Sequence, residues 1–180
     1  MNQLFIPVIA GTARDQRKSI HAARFIADVG TTIEGIKTEV IDPKDFHFPG
    51  DGNDPENKDP RYTELTQRAD GFFILTPEYN FGIPGSLKRM LDSEFEHYFH
   101  KAVAFGGCSS GPWGGVRAIE QLVGSVRKMG LVPISKDIQF PFVQDIFSED
   151  GALLDEAYVA RAETVWQELV WMTNALKQAK

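Results

Sequence analysis

The chain has 180 residues, of which 42% are hydrophobic and 24% are charged, and its formal net charge is −6. A mildly acidic chain without dense basic runs does not attract a nucleic-acid backbone or an anionic membrane surface, so we expect neither as a partner. No apolar run approaches the roughly 18–20 residues of a membrane helix, and the N-terminus lacks a signal-peptide pattern, so we expect no membrane insertion. A single cysteine, Cys108, excludes an internal disulfide and fits a reducing, cytoplasmic location.

The length favours one folded domain over residues 1–180. Apolar runs predict strands over residues 4–9, 38–41, 71–76 and 102–105, with some irregularity at Pro7, because proline removes a hydrogen-bond donor. A further strand comes from residues 131–134 or from residues 138–140. Pro- and Gly-rich residues 43–62 form a long loop, which is either functional or poorly ordered.

Helical periodicity separates the strands. One helix is predicted from Ser19 to Gly30, a short one near residues 64–69, and another that starts at Pro84. The two later helices show apolar stripes, made of Val116, Ile119, Val123 and Val126 in the first, and of Tyr158, Ala162, Val165, Leu169, Met172 and Leu176 in the second. Alternating strands and helices predict βαβ units and a parallel sheet with helices on both faces, but leave the strand order open.

Ligands of open α/β sheets bind beyond the carboxyl ends of the strands, so the loops after the first, third and fourth strands are the informative ones. Residues 11–19 leave a strand, open a helix and contain Arg14, Arg17 and Lys18. A helix N-terminus with nearby cations suits a phosphate, to which Thr12 and Ser19 add hydroxyl groups. The alternative, at about even odds on the loop alone, is a solvated connection in which Ser19 is the helix N-cap.

The other two loops contain flat side chains beside glycine and proline. Residues 76–88 form a stiff turn whose backbone groups are available to a planar heterocycle, with Tyr79 and Phe81 beside it. Residues 108–115 are glycine-rich, and Trp113 could cover a ring. The alternatives are a packed turn in the first loop and, in the second, a tight turn with a helix start at Pro112 or Gly114.

Taken together, the three loops resemble the NADPH-dependent FMN reductase family of flavodoxin-like proteins, which includes quinone, azo-dye and chromate reductases. The matching motifs are Gly11-Thr12-x-Arg14, then Pro77-Glu78-Tyr79-Asn80 with Pro84-Gly85-x-Leu87-Lys88 and Asp92, and finally Ser109-x-Gly111-x-x-Gly114-Gly115-x-Arg117-Ala118. The phosphate loop is longer than is usual in the family, and Gly82 stands where many members have serine.

The resemblance implies a flavodoxin-like, doubly wound sheet of five parallel strands in the order 2-1-3-4-5, with helices on both faces and FMN at the switch between the first and third strands. It also implies which residues bind the cofactor. They are Thr12, Arg14, Ser19 and Ile20 at the phosphate, Pro77, Glu78, Tyr79, Asn80, Phe81 and Gly82 along the ribityl chain and ring, and Ser109 and Gly111 at the ring.

The implied activity is that of an NAD(P)H-dependent FMN reductase or quinone reductase. Hydride passes from NADPH or NADH to FMN and then to a quinone-like or other small acceptor, by a ping-pong mechanism and without a catalytic side chain or a metal ligand. We expect Cys108 to be an inert buried thiol and Glu78 to fix its turn. The aromatic residues of the last helix and the resemblance together predict a homodimer or a homotetramer.

Two alternatives are a non-enzymatic electron carrier of the flavodoxin type and a flavin-binding regulatory module. The basic phosphate loop counts against a carrier. The sequence leaves open the acceptor, the choice between NADPH and NADH, and the roles of residues 15–18.

Overall fold

A computed structural model describes residues 3–179. Pro7 divides the first predicted strand into β1 (Leu4–Phe5) and β2 (Val8–Ala10), which confirms the expected irregularity. The second strand is divided in the same way, into β3 (Ile36–Lys37) and β4 (Val40–Ile41). β1 pairs with β3 and β2 pairs with β4, both in parallel. The first and second predicted strands therefore lie side by side along both of their parts.

Three longer strands complete the central sheet: β5 (Gly71–Pro77), β6 (Ala102–Cys108) and β7 (Val132–Phe140). The five-stranded sheet has the order β4-β2-β5-β6-β7, and every neighbouring pair is parallel. Counted along the chain this is the order 2-1-3-4-5, so the predicted flavodoxin-like fold is confirmed. β7 includes most of both segments proposed for the last strand, with a register shift opposite Val103 and Phe105.

Helices cover both faces of the sheet, as predicted. Their bounds are α1 (Ser19–Thr31), α2 (Pro60–Arg68), α3 (Gly85–Asp92), α4 (Val116–Lys128), α5 (Val143–Ile146) and α6 (Ala157–Gln178). Alternate residues of β5 enter two separate apolar clusters: Phe73 packs with α1 and α6, and Phe72 packs on the side of α2, α3 and α4. A strand that is apolar on both faces is typical of the centre of a parallel sheet.

The last helix contains two tryptophans in opposite environments. Trp166 is fully buried, and its indole N–H donates to the carbonyl of Ile26 at 2.9 Å. Trp171 is 64% exposed. Tyr158, predicted to pack in the core, is buried. Within residues 3–179, no helix has the length and apolar character needed to cross a membrane.

The predicted loop of residues 43–62 is shorter than expected, because α2 already begins at Pro60, and it is fastened to the helices beside it. The carboxylate of Asp59 accepts the backbone N–H groups of His47 at 2.8 Å and Arg61 at 3.0 Å, and the hydrogen bond from the Arg61 side chain lowers the pKa of Asp59 to about 2. Arg89 of α3 donates to the carbonyl of Asn57 at 2.8 Å. The loop is therefore held in place, and it does not line the cavity described next.

Candidate functional site

A cavity of about 460 Å³ lies beyond the carboxyl ends of β2, β5 and β6. Its wall consists of Thr12, Arg14, Gln16, Arg17, Lys18, Ser19, Pro77, Glu78, Tyr79, Cys108, Ser109, Ser110, Val143 and Gln144. This is the switch in strand order, where open α/β sheets bind their ligands. The structure therefore brings residues from all three predicted loops together.

Five of the predicted cofactor residues do not line this cavity: Ile20, Asn80, Phe81, Gly82 and Gly111. Ile20 lines a neighbouring surface groove with Arg24 and Lys44. Local folding, described below, explains the position of the other four.

The first loop is held against β5 by a close backbone approach. The N–H of Gly11 donates to the carbonyl of Leu75 at 2.7 Å, and a Cβ atom at position 11 would lie 2.6 Å from that oxygen and 2.8 Å from the Cα of Thr76. Only glycine fits there without moving backbone. The next residue, Thr12, is buried, and its hydroxyl lies 3.2 Å from that of Tyr79, which links the first loop to the second.

The charged residues of the first loop divide into two sets. Arg17, whose side chain is 8% exposed, pairs with Asp42, and Asp15 pairs with Lys44. The hydrogen bond from Lys44 lowers the pKa of Asp15. These pairs fasten the outer side of the loop. They give Asp15 and Arg17 a structural role, which the sequence had left open.

The second set is available to a ligand. Arg14 and Lys18 are exposed at the cavity, and within residues 3–179 neither forms an ion pair. Helix α1 begins beside them with no side-chain cap and no acidic residue in its first turn. The N-cap residue is Lys18, so the reading of Ser19 as the N-cap is wrong. The first-turn N–H groups and the partial positive charge of the helix are thus left for an anion.

The second loop folds back on itself, which the sequence reading missed. Tyr79 and Gly82 exchange backbone hydrogen bonds of 2.8 and 2.9 Å. Both central residues have positive φ, 50° at Asn80 and 67° at Phe81, the signs of a type I′ turn. The turn satisfies part of its own backbone, and Asn80, Phe81 and Gly82 do not line the cavity.

Helix α4 holds this turn from behind. Glu78 accepts the backbone N–H of Arg117 at 3.2 Å, and Gln121 accepts the N–H of Ile83 at 2.7 Å. A Cβ atom at Gly82 would lie 2.6 Å from the same Gln121 oxygen. The predicted role of Glu78 in fixing the turn is confirmed by this hydrogen bond.

The third loop uses the carbonyl of Gly111 for its own structure. That oxygen accepts the Ser109 hydroxyl at 2.9 Å and the N–H of Phe142 at 3.0 Å, while Gly111 itself stays off the cavity wall. Helix α4 begins at Val116 after Gly115 at φ 82°, rather than at Pro112 or Gly114.

Ser110 of the predicted third loop lines the cavity, and so do two residues of the one-turn helix α5, Val143 and Gln144, which the sequence did not indicate. Four helical residues are too few for a periodic signal. Cys108, at the end of β6, is buried, and burial raises the pKa of its thiol to about 12. The thiol is protonated at neutral pH, as expected for an inert cysteine.

The arrangement fits FMN. The cavity offers Arg14, Lys18, two buried hydroxyl groups and an uncapped helix, which suit a phosphate. Pro77 and Tyr79 also line it and offer surface for a flat ring. Its volume lies within the roughly 300–1,000 Å³ that is usual for small-molecule sites.

Comparisons with known proteins agree with this geometry. The chain is 35% identical over 130 residues to the NAD(P)H-dependent FMN reductase ntnL of Nectria sp. This match covers 67% of the chain and 64% of that relative. It is 28% identical over 155 residues to an NADPH azoreductase of Bacillus sp. (strain OY1-2), which covers 83% of the chain and 82% of that relative. The chain spans less than two thirds of the length of three relatives that it matches, at 64%, 55% and 59%.

Among solved structures, the NAD(P)H:(acceptor) oxidoreductase FerB from Paracoccus denitrificans has a TM-score of 0.70 at 19% identity, covering 97% of this chain and 98% of that one. At that identity the likeness shows the fold alone. Residues 5–145 match the model of a family described as NADPH-dependent FMN reductase. This match extends over more than half of the chain, and the chain therefore belongs to the NADPH-dependent FMN reductase family.

Proposed function

We propose that this protein is an FMN-dependent NAD(P)H oxidoreductase and that residues 1–180 form one FMN-binding domain. The observation that supports this best is the cavity at the strand-order switch, which brings together an uncapped helix, two unpaired cations and a tyrosine. Family membership and the names of the relatives point to the same activity.

Arg14 and Lys18, with the hydroxyl groups of Thr12 and Ser19, would hold the phosphate. The N–H of Ile20, in the first turn of α1, would add a donor although its side chain faces the neighbouring groove. Arg17 contributes indirectly, because its ion pair with Asp42 and its 3.0 Å hydrogen bond to the carbonyl of Arg14 fix the loop.

Pro77, Glu78 and Tyr79 would flank the ribityl chain and the ring, with Ser109 opposite. Bound FMN supplies the hydride chemistry, and the protein orients it. Within residues 3–179, no hydrogen-bond acceptor pairs with the N–H groups of Asn80 and Phe81, and such donors at the mouth would stabilise negative charge on a reduced ring. Gly82 cannot do so, because its N–H is bound to Tyr79. Gly111 would act only by shaping the loop that presents Ser109.

We further propose a ping-pong order in which the nicotinamide donor leaves before a quinone-like or other small acceptor enters. The position of the cavity supports this order, because both flat molecules would need the same space beside the bound ring. The electron-carrier and regulatory alternatives require no such exchange.

The test is an absorbance spectrum of the protein reconstituted with FMN, followed by NADPH oxidation with 1,4-naphthoquinone. We expect retained flavin absorbance and parallel double-reciprocal plots. Flavin binding with almost no turnover would favour a carrier or a sensor, and the absence of flavin binding would contradict the proposal.

We also propose a cytoplasmic location and a homodimer or homotetramer. The exposed ring of Trp171 on α6 is an apolar surface that a second copy would cover. Sedimentation velocity measures the assembly directly.

A further inference from the structure

Three large exposed aromatic side chains lie close along the chain to residues that line the cavity. Phe81 is 68% exposed, Trp113 is 63% exposed and Phe142 is 45% exposed. Each lies within three residues of a cavity-lining position, namely Tyr79, Ser110 and Val143. Exposed rings grouped at a binding site are typical of a surface that meets a ligand or a partner.

Two of these aromatic residues have a backbone conformation that is unfavourable for a residue with a large side chain. The φ angles of Phe81 and Phe142 are 67° and 47°, in the left-handed region. In a type I′ turn glycine or asparagine avoids that strain, so phenylalanine at position 81 is costly both in backbone conformation and in solvent exposure. The ring is 68% exposed and lies against the guanidinium of Arg117. Its role is therefore to be sought in what binds there.

Arg117 connects the rings. Its guanidinium lies 4.1 Å from the centre of the Phe81 ring and 6.0 Å from that of Trp113. Its side chain is 45% exposed. Stacking on an aromatic face fixes the guanidinium plane and leaves its edge for a ligand.

The donors of Arg117 are not consumed inside the chain. Arg117 forms an ion pair with Glu78, but the 3.7 Å between Nη1 and Oε1 is longer than a hydrogen bond, and the other Glu78 oxygen accepts the backbone N–H of Arg117. No side-chain donor of Arg117 has a hydrogen-bond partner in the part of the chain that the structure describes. The edge of the guanidinium thus offers a bidentate site for a carboxylate or a sulfonate.

Resting on the proposed function, we propose that Arg117, held between Phe81 and Trp113, selects planar aromatic electron acceptors that carry a carboxylate or sulfonate group. The rings cover the flat body of the acceptor and the guanidinium binds its anionic group. The chain has a net charge of −6, so such an acceptor needs a local cation at the mouth. Arg117 is then a specificity-determining residue of the acceptor site.

The test compares two redox-inert ligands of nearly equal shape, naphthalene-2-sulfonate and naphthalene-2-sulfonamide, by calorimetry on the FMN-loaded protein. The wild type should prefer the sulfonate, and Arg117→Gln should reduce that preference about tenfold, the effect of losing one charge-assisted interaction. The matched control is Arg127→Gln, which removes an exposed charge near the other end of α4 and should leave the preference unchanged.

A catalytic readout uses 1,4-naphthoquinone-2-sulfonate and 1,4-naphthoquinone. Each takes a hydride that originates from NADPH and a proton from solvent to give the hydroquinone and NADP⁺. The ratio of their kcat/KM values should fall in Arg117→Gln by a similar factor, with partial recovery in Arg117→Lys, which keeps the charge but not the planar fork.

Two results would overturn the inference. One is an equal loss of preference in Arg117→Gln and Arg127→Gln, or no loss in either. The other is a drop in particle mass for Trp113→Ser with ligand preference and affinity intact, which would assign the rings to a second copy of the chain. Protein that binds no FMN would instead contradict the proposed function, so the two failures are distinguishable.

Discussion

The loop of residues 11–19 and the turn of residues 77–83 meet at the same cavity but are built in opposite ways. The first is fixed by contacts on its outer side, where Arg17 pairs with Asp42 and Asp15 pairs with Lys44, and it turns free cations inward. The second is fixed from behind by α4 and turns strained, exposed residues outward. Residues that hold a loop and residues that can meet a ligand are therefore interleaved along the chain.

The largest expected effect concerns the close contact at the start of the first loop. Gly11→Ala would place a methyl group 2.6 Å from the Leu75 carbonyl, which is backbone and cannot rotate away. We expect the free energy of unfolding to fall by about 3 kcal/mol in urea titrations. Gly85→Ala is the control, because no atom lies within 4 Å of its Cβ position. Equal stability of the two variants would show that the contact does not fix the loop.

The next largest effect distinguishes the roles of Arg14 and Arg17 in the first loop. Arg14→Ala should weaken FMN binding by about 2 kcal/mol, because it removes a charge-assisted contact, and should change the unfolding free energy of the FMN-free protein little. Arg17→Ala should mainly lower that stability, because it leaves Asp42 unpaired.

Flavin fluorescence titration and urea unfolding measure the two quantities. Arg24→Ala, an exposed charge outside the cavity, is the matched control for net charge. An affinity loss in Arg24→Ala as large as that in Arg14→Ala would mean that the general field, rather than a contact, binds the phosphate.

The same two loops show how far sequence reasoning reaches. The strand of residues 71–76 was located by its continuous apolar run, and α4 by its apolar stripe, of which Ile119 and Val126 are buried. The position of the first loop followed from one rule, that ligands bind at the strand-order switch. Its charge pairs could not be foreseen, because Asp42 and Lys44 reach it only through the parallel pairing of β2 and β4.

The second loop was harder for a physical reason. The residue types Asn80-Phe81 do not predict two positive φ angles, because phenylalanine disfavours such a conformation. The conformation depends on Gln121, which is 38 positions away and accepts the N–H of Ile83. Tertiary contacts of this kind override local preference, so the sequence alone could not show that Asn80, Phe81 and Gly82 do not line the cavity.

The smallest expected effect tests that strained turn. Phe81→Gly and Phe81→Ala both remove the ring and its stacking on Arg117, but only alanine keeps a Cβ atom at φ 67°. We therefore expect F81G to be more stable than F81A by about 1 kcal/mol, which reverses the usual order of the two residues. Phe99 is the control, because its φ of −57° strains neither residue, and there F99A should be at least as stable as F99G. If F81A is as stable as F81G or more stable, the turn relaxes without strain. Backbone strain then no longer supports a ligand-binding role for the exposed ring. If the glycine variant is more stable than the alanine variant only at position 81, the strain is real. The fold then holds an unfavourable residue where an acceptor would contact it.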